Sequence, residues 1–201
     1  MLEGCTGRGK NTLDSCVQEC RKPVNPEPES ALQVVVLAAG NTSRFGSAKQ
    51  LALYRAQPLL LAAVNQATAL AGHAVTVVLG ARAAEIAPVL RRSLATVLVN
   101  RDWQEGLGSS LRLAVRQLSG ATEGVLVMLG DQPAIGLTDL QRLVTAWREK
   151  PDLIAAAHYS GITGVPAIFP RWAFGDLAEL RGDQGARLLL HRHPDRVQRI
   201  A

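Results

Sequence analysis

Short apolar runs alternate with longer segments of helical periodicity from Gln33 onward. The runs are rich in β-branched residues, as is typical of strands buried on both faces. They lie at 34–38, 74–79, 95–99 and 125–129, with further strands predicted at 153–157 and 166–169. Helices are predicted at 58–70, 83–91, 109–118, 138–149 and 186–191. The alternation indicates βαβ units and predicts an α/β fold, an open and mostly parallel twisted sheet with helices on both faces.

The first 30 residues do not follow this pattern. Three prolines fall between Pro23 and Pro28, and the charges around them alternate in sign, so little apolar material is left to pack. We therefore expect a flexible extension over 1–30 and one domain over 31–201. All three cysteines, Cys5, Cys16 and Cys20, lie in the extension without a nearby histidine, a pattern that does not favour a zinc site.

Composition narrows the class of partner. The 201 residues include 47% hydrophobic and 19% charged residues, as in a globular protein. A net charge of +5 raises the question of nucleic acid, but aromatic residues make up only 4% and no run of five like charges follows residue 30. A small anionic substrate fits better. No apolar run approaches the roughly 20 residues that a bilayer requires, and the N-terminus lacks an apolar leader, so we expect a cytoplasmic protein without membrane partners.

Ligands of such sheets bind at the carboxyl ends of the strands, and three loops follow apolar runs there. The first loop, 37–50, contains glycines and the cations Arg44 and Lys49, which suit a polyphosphate; the alternative is a surface loop with solvated cations. Its spacing matches neither the dinucleotide fingerprint G-x-G-x-x-G nor a P-loop.

The other two loops carry a carboxylate and a glycine-serine segment. Asp131 follows the strand at 125–129 and is suited to hold Mg²⁺ against substrate phosphates, although an aspartate there also begins turns. The segment Gly106-Leu107-Gly108-Ser109-Ser110 begins a predicted helix, where amides and hydroxyls suit a phosphate, sugar or base. Taken alone, Ser109 is a good N-cap.

Together these loops resemble a known family. The motifs are L-A-A-G-x-x-x-R-F-G-x-x-K-Q-L at 37–51, N-x-x-W-x-x-G-L-G-S-S-L at 100–111 and G-D-Q-P at 130–133. They are similar to those of the molybdenum cofactor cytidylyltransferases, and the similarity runs from about residue 34 to 187. The resemblance implies a Rossmann-like nucleotidyltransferase fold, within the group that includes the guanylyltransferases of the same cofactor and the nucleotide-sugar pyrophosphorylases.

The resemblance also implies a reaction and roles for residues. The terminal phosphate of the molybdenum-pterin cofactor would attack the α-phosphate of CTP and release pyrophosphate, to mature a molybdenum hydroxylase. Arg44 and Lys49 would bind the triphosphate, and Asp131 would hold Mg²⁺. The nucleotide-binding residues would be Leu37, Ala38, Ala39, Gly40, Lys49, Gly108, Ser109 and Ser110. The acceptor-binding residues would be Gln132, Pro133, Gly164, Pro166, Gly182, Asp183 and Arg187.

Alternatives remain at this stage. Ala39 favours CTP, since the guanylyl branch usually has L-A-G-G, but guanylyl transfer and transfer to a sugar phosphate use the same fold. Family members usually continue into a D-x-D-T-type segment that completes the metal site, and the sequence ends at Ile200-Ala201 without one. Asp183 and Asp195 are the candidate substitutes for the second metal ligand, although neither fits that motif. A non-catalytic chaperone of the molybdenum cofactor is therefore a further hypothesis, and a basic DNA-binding protein is the weakest.

Overall fold

The computed structural model describes residues 31–40 and 48–201. The predictions for the extension 1–30, with its three cysteines, and for Arg44 lie outside these residues. The strands are β1 (Leu32–Ala38), β2 (Leu53–Tyr54), β3 (Gln57–Pro58), β4 (Val75–Leu79), β5 (Thr96–Val99), β6 (Gly124–Leu129), β7 (Ile154–Tyr159), β8 (Ile162–Pro170) and β9 (Val197–Ile200). The helices are α1 (Leu59–Ala71), α2 (Ala83–Ile86), α3 (Leu107–Val115), α4 (Leu137–Glu149), α5 (Phe174–Glu179) and α6 (Arg187–Arg192).

Within the described residues, seven strands form one sheet in the order β5-β4-β1-β6-β8-β7-β9. Strands β5, β4, β1 and β6 are mutually parallel, and β8 runs antiparallel to both β6 and β7. Strand β9 is parallel to β7, so six of these seven strands point the same way. The predicted open and mostly parallel sheet is confirmed.

Helices cover both faces of the sheet, as predicted. Alternate residues of β1 point to opposite faces, so Val34 and Val36 belong to one apolar cluster and Val35 and Leu37 to the other. Helices α1, α2 and α4 pack in the first cluster, and α3, α5 and α6 pack in the second. Strands with both faces buried explain the continuous β-branched runs in the sequence.

Several elements differ from the sequence-based prediction. The helix predicted over 83–91 is α-helical only to Ile86 and continues as a 3₁₀ turn over Ala87–Leu90, because Pro88 has no N–H for the helical ladder. Helix α3 begins at Leu107, two residues before the predicted start. The short helix α5, the hairpin β2–β3 and strand β9 were not predicted. No helix among the described residues is long and apolar enough to cross a membrane.

Candidate active site

A groove runs across the carboxyl ends of β1 and β6. It consists of three adjoining cavities of about 330, 240 and 230 Å³. Leu107, at the start of α3, lines all three. Residues of the 37–51 and 100–111 motifs line the 330 Å³ cavity, and residues of all three motifs line the 240 Å³ cavity. The tertiary structure therefore brings the three loops into one site.

The central 240 Å³ cavity holds an ion pair between two of these loops. Lys49 Nζ donates to Asp131 Oδ2 at 2.8 Å, although the residues are 82 positions apart in the sequence. Lys49 begins a 3₁₀ turn over Lys49–Leu51, and Asp131 follows the end of β6, the neighbour of β1 in the sheet. Both side chains are more than one third exposed, so solvent and ligands reach them. A cation and a carboxylate in one cavity are the charges needed to bind a metal-nucleotide complex.

The backbone that leads into the first loop is held by a buried amide. Gln50 Nε2 donates to the carbonyl oxygens of both Ala38 and Gly40 at 3.1 Å, and only 6% of Gln50 is exposed. The neighbouring carbonyls accept from backbone amides: Leu37 O from Gly130 N and Ala39 O from Ala81 N. Because protein donors engage all four carbonyls of 37–40, their negative ends do not oppose an incoming phosphate.

A second buried amide joins the end of β5 to the start of α3. Asn100 Nδ2 donates to Ser109 Oγ at 2.7 Å and to Ser110 Oγ at 3.0 Å, and its Oδ1 accepts from the Asp102 amide. Ser109 Oγ also contacts the carbonyl oxygens of Gly106 and Asp102 at 2.8 and 3.0 Å, so this hydroxyl is engaged within the protein. Ser110 is the serine that lines the 330 Å³ cavity.

An ion pair on α3 supports the wall of the same cavity. Arg112 Nη1 donates to Glu105 Oε1 at 2.8 Å and to Leu180 O at 2.6 Å, which ties the turn before α3 to the segment after α5. The side-chain hydrogen bond from Arg112 lowers the pKa of the Glu105 carboxyl. At Gly106, φ is +111° and a Cβ atom would lie 2.4 Å from the Gly182 backbone, so only glycine permits this approach.

The predicted acceptor residues divide between two regions. Gln132, Gly164 and Arg187 line the 230 Å³ cavity. Gln132, Pro133 and Pro166 line a further cavity of about 460 Å³ between the 132–135 loop and β7. Asp183, by contrast, lines the 330 Å³ cavity beside Trp103 and Ser110.

Gly182 lies beside the start of α3, near the 330 Å³ cavity that Asp183 lines, because its carbonyl accepts from the Gly108 amide at 2.9 Å. The structure therefore places this predicted acceptor pair with the residues predicted to bind the nucleotide. The chain reversal between α5 and α6 carries the pair to α3, and loop spacing in the sequence does not reveal that reversal.

The Asp131 carboxylate in the central cavity is suited to bind a magnesium ion. Among residues 31–40 and 48–201, no group of three or more histidine, cysteine, aspartate or glutamate side chains forms a metal cluster. Magnesium in nucleotide sites is usually held by one or two carboxylates, with substrate phosphates and water completing the shell. Asp131 provides such a carboxylate. Asp195 precedes β9 and therefore lies at the amino ends of the parallel strands, whereas the groove lies at their carboxyl ends.

Several residues that line the groove were not singled out from the sequence, among them Gln50, Gln104, Leu107 and Tyr159. Gln50 and Leu107 stand inside the motifs, where their positions were a usable indication. Gln104 is one of the variable positions of a motif, and Tyr159 lies on a strand far from every motif in the sequence.

The family of the chain follows from a comparison with known proteins. Residues 34–197 match the family described as MobA-like NTP transferase domain. The chain belongs to this family. The predicted resemblance and the predicted class of enzyme, a nucleotidyltransferase, are thereby confirmed.

Similar individual proteins come from several bacteria. A curated relative is the nicotine blue oxidoreductase of Paenarthrobacter nicotinovorans, 32% identical over 169 residues that cover 80% of this chain and 81% of that protein. Rv0371c of Mycobacterium tuberculosis H37Rv has a crystal structure with 31% identity and a TM-score of 0.75, covering 87% of this chain and 89% of that one. A second structure of Rv0371c is a complex with manganese, with 31% identity and a TM-score of 0.72, over 85% and 87% of the two chains. A divalent metal thus occurs in a structure of a close structural relative.

Proposed function

We propose that the protein is a magnesium-dependent cytidylyltransferase that moves CMP from CTP to the terminal phosphate of the molybdenum-pterin cofactor. Pyrophosphate is the second product, and the cytidine dinucleotide form of the cofactor serves a molybdenum hydroxylase. The proposed place of action is the cytoplasm, where CTP is available. Family membership, the three motifs and the geometry of the groove support this proposal.

One observation carries the proposal, the 2.8 Å contact between Lys49 and Asp131 in the central cavity. Phosphoryl transfer depends on positioning and on neutralising charge rather than on a strong general base. A lysine and a carboxylate from neighbouring strand ends meet that need at one point. In the absence of nucleotide each neutralises the other, so neither charge stands alone in the half-exposed cavity.

The chemistry requires no covalent intermediate on the protein. An oxygen of the acceptor phosphate forms a bond to the α-phosphorus of CTP, and the bond from that phosphorus to the bridging oxygen breaks. The electron pair leaves with pyrophosphate. Lys49 neutralises the charge that develops on pyrophosphate, and Arg44, outside the described residues, shares this role in the proposal.

Two further parts of the proposal concern the metal ion and the preference for the cytosine base of CTP. Asp131 would hold Mg²⁺, which supplies further neutralisation of phosphate charge when bound. Ala38, Ala39 and Gly40 present their backbone to the nucleotide, and Ala39 and Gly40 line both the central and the 330 Å³ cavities. This shared position supports Ala39 as the residue that favours CTP.

The test is pyrophosphate release by the purified chain with Mg²⁺ and the molybdenum-loaded pterin cofactor. We expect release with CTP and little with GTP, ATP or UTP. Lys49→Met should lower kcat/KM by roughly 100- to 1,000-fold, the usual effect of removing one transition-state donor. Lys150→Met is the matched control, because Lys150 is exposed at the end of α4.

The other outcomes separate the remaining hypotheses. Preference for GTP would indicate the guanylyl variant, and release with a sugar phosphate but not with the pterin would indicate a different acceptor. No release with any nucleotide, despite binding of the pterin, would indicate the chaperone. A loss below about fivefold in Lys49→Met would contradict the role of Lys49.

The relative from Paenarthrobacter nicotinovorans supports a second candidate, because its name describes an oxidoreductase and the match covers most of both chains. Reduction of nicotine blue with a reduced nicotinamide as hydride donor, followed by absorbance, tests this function directly. The first loop lacks the G-x-G-x-x-G spacing of dinucleotide-binding folds, which favours nucleotidyl transfer. Dye reduction without pyrophosphate release would reverse that preference.

A further inference from the structure

The pairing of strand β8 is irregular beside the groove. Its pairing with β6 ends at Ala167 opposite Val127. Its pairing with β7 passes from Ala167 to Gly164 while β7 advances by one residue, so Val165 and Pro166 form a bulge. Bulges redirect backbone groups out of the ladder and are frequent beside active sites. This one turns a backbone carbonyl toward the loop after β6.

The side chain of Gln132 donates a hydrogen bond to that carbonyl. Its Nε2 donates to Val165 O at 3.3 Å, and since a carbonyl oxygen only accepts, the amide nitrogen must face Val165. The opposite atom, Gln132 Oε1, is buried and has no hydrogen-bond partner among the described residues. Buried acceptors are nearly always paired, and Gln132 lines two cavities, so its oxygen lacks a donor that a ligand in those cavities could supply.

Tyr159 continues the same wall. It lies at the end of β7 and is 46% exposed. A Cβ atom added to Gly164 would lie 3.8 Å from the Tyr159 hydroxyl. Gln132 and Tyr159 both line the 230 Å³ cavity and the 460 Å³ cavity, so the pair stands where the two cavities meet. An exposed aromatic ring at a cavity wall is suited to pack against another planar ring.

The charges nearby agree with a phosphorylated ligand. Arg187 lines the 230 Å³ cavity with Tyr159, and the Lys49–Asp131 pair lies in the adjoining cavity that shares Leu37, Leu107 and Leu129. A ligand whose ring contacts Tyr159 can therefore extend a phosphate toward the central cavity. The 460 Å³ cavity is lined mainly by apolar side chains and leaves room for the remainder of a bulky molecule.

We propose that Gln132 and Tyr159 determine acceptor specificity: the Tyr159 ring packs on a planar heterocycle, and Gln132 Oε1 accepts from an N–H of that heterocycle. The acceptor class is a phosphorylated N–H-bearing heteroaromatic compound rather than a sugar phosphate. This inference rests on the proposed function for the identity of the reaction, but it concerns binding and does not require turnover.

The test is anaerobic calorimetric titration of the purified chain with metal-free molybdopterin, and in parallel with glucose 1-phosphate and CTP. Tyr159→Leu should weaken molybdopterin binding by about tenfold or more, because stacking on an aromatic ring is lost, while Tyr159→Phe stays within about twofold. Gln132→Met, which keeps the volume but removes the acceptor atom together with the Nε2 donor to Val165 O, should weaken it by about fivefold or more. CTP affinity should change less than twofold in all three variants.

Two matched controls separate recognition from folding. Tyr54→Leu changes the only other tyrosine, which stacks on Arg55 in the β2–β3 hairpin. Gln198→Met removes the other glutamine oxygen that is buried without a partner among the described residues, on β9. Both controls should bind molybdopterin like the unaltered chain, and all five variants should retain a cooperative thermal transition.

Each remaining outcome decides a different point. Equal molybdopterin affinity in Tyr159→Leu and the unaltered chain overturns the inference, as does tight glucose 1-phosphate binding that depends on Tyr159. Absence of molybdopterin binding by the unaltered chain overturns it as well. Pyrophosphate release that is insensitive to Tyr159→Leu would sustain the proposed function alone, whereas Tyr159-dependent binding without any release would sustain the inference alone.

Discussion

Adjacent residues in one short turn serve opposite purposes at the site. Lys49 directs its ammonium group into the groove, whereas Gln50 is buried and holds the carbonyl oxygens of Ala38 and Gly40. The 3₁₀ turn that begins at Lys49 separates the two side chains by about 120° around its axis, which explains the difference in burial. Sequence patterns show the two residues only as polar neighbours.

At the residue scale we predict that Gln50→Leu loosens the backbone at Ala38 and Gly40. The buried Ala38 carbonyl loses a donor, whereas Gly40 is exposed and water can replace the donor to its carbonyl. One unpaired buried group costs about 1–3 kcal/mol, so the free energy of unfolding should fall by about that amount. KM for CTP should rise at least tenfold. Urea denaturation and initial-rate kinetics measure the two effects.

Gln117→Leu provides the control, since this glutamine is exposed after α3 and should change neither quantity appreciably. An unchanged KM in Gln50→Leu would show that the backbone of 37–40 keeps its position without the Gln50 amide.

Helix α3 is the element on which the groove depends most. Its first residue lines all three cavities, and Arg112 joins it to the turn before it and to Leu180 after α5. The hydrogen bond from Arg112 lowers the pKa of Glu105 below its ordinary value of 4.5. A carboxyl whose pKa is lower in the folded state stabilises the fold above its unfolded pKa, and this contribution is lost as pH falls through the folded pKa.

We therefore predict a pH dependence at the scale of this helix. The melting temperature of the unaltered chain should exceed that of Glu105→Gln by a constant amount between pH 7 and 5. The difference should shrink toward zero below pH 4.5, as Glu105 becomes protonated in the folded state too. Calorimetry across this range measures it.

Glu149→Gln, at the exposed end of α4, shows the background effect of removing a carboxylate. A Glu105→Gln difference that persists unchanged to pH 3 would mean that the amide substitution acts through packing rather than through charge.

At the scale of the whole molecule, the site exists only where separate segments meet. The loop after β1, the end of β6, the start of α3 and the segment after α5 all contribute to its walls. A ligand bound there connects elements that are distant in the sequence, so it should stabilise the entire fold. A nucleotide at 100 times its dissociation constant adds about 2.7 kcal/mol.

We predict that CTP with Mg²⁺ at that concentration raises the melting temperature by about 5–10 °C. In Asp131→Asn the additional stabilisation by Mg²⁺ should disappear while CTP alone still acts. Asp195→Asn, at the amino ends of the parallel strands, should behave like the unaltered chain. An identical response to Mg²⁺ in Asp131→Asn would place the metal elsewhere.

Much of the fold was predictable from local patterns. The β-branched runs at 34–38, 74–79 and 125–129 correspond to β1, β4 and β6, because strands buried on both faces require continuous apolar residues. The edge at which the candidate groove lies was predictable from sheet topology, since parallel strands present their carboxyl ends together. These properties depend on residues close in sequence or on general rules of sheet topology.

Other features were decided only by tertiary contacts. The reversed direction of β8 and the addition of β9 arise from pairing between distant segments, and the short run at 197–200 has no local pattern strong enough to predict it. Tertiary contacts also place Asp183 and Trp103 in one cavity and leave the Gln132 side-chain oxygen without a partner among the described residues. The sequence by itself determined six of the seven strands of the large sheet, most of the helices that cover it and the motifs at the strand ends. Only the tertiary structure decided which side chains share a cavity, because that depends on the path of loops whose local energies do not specify it.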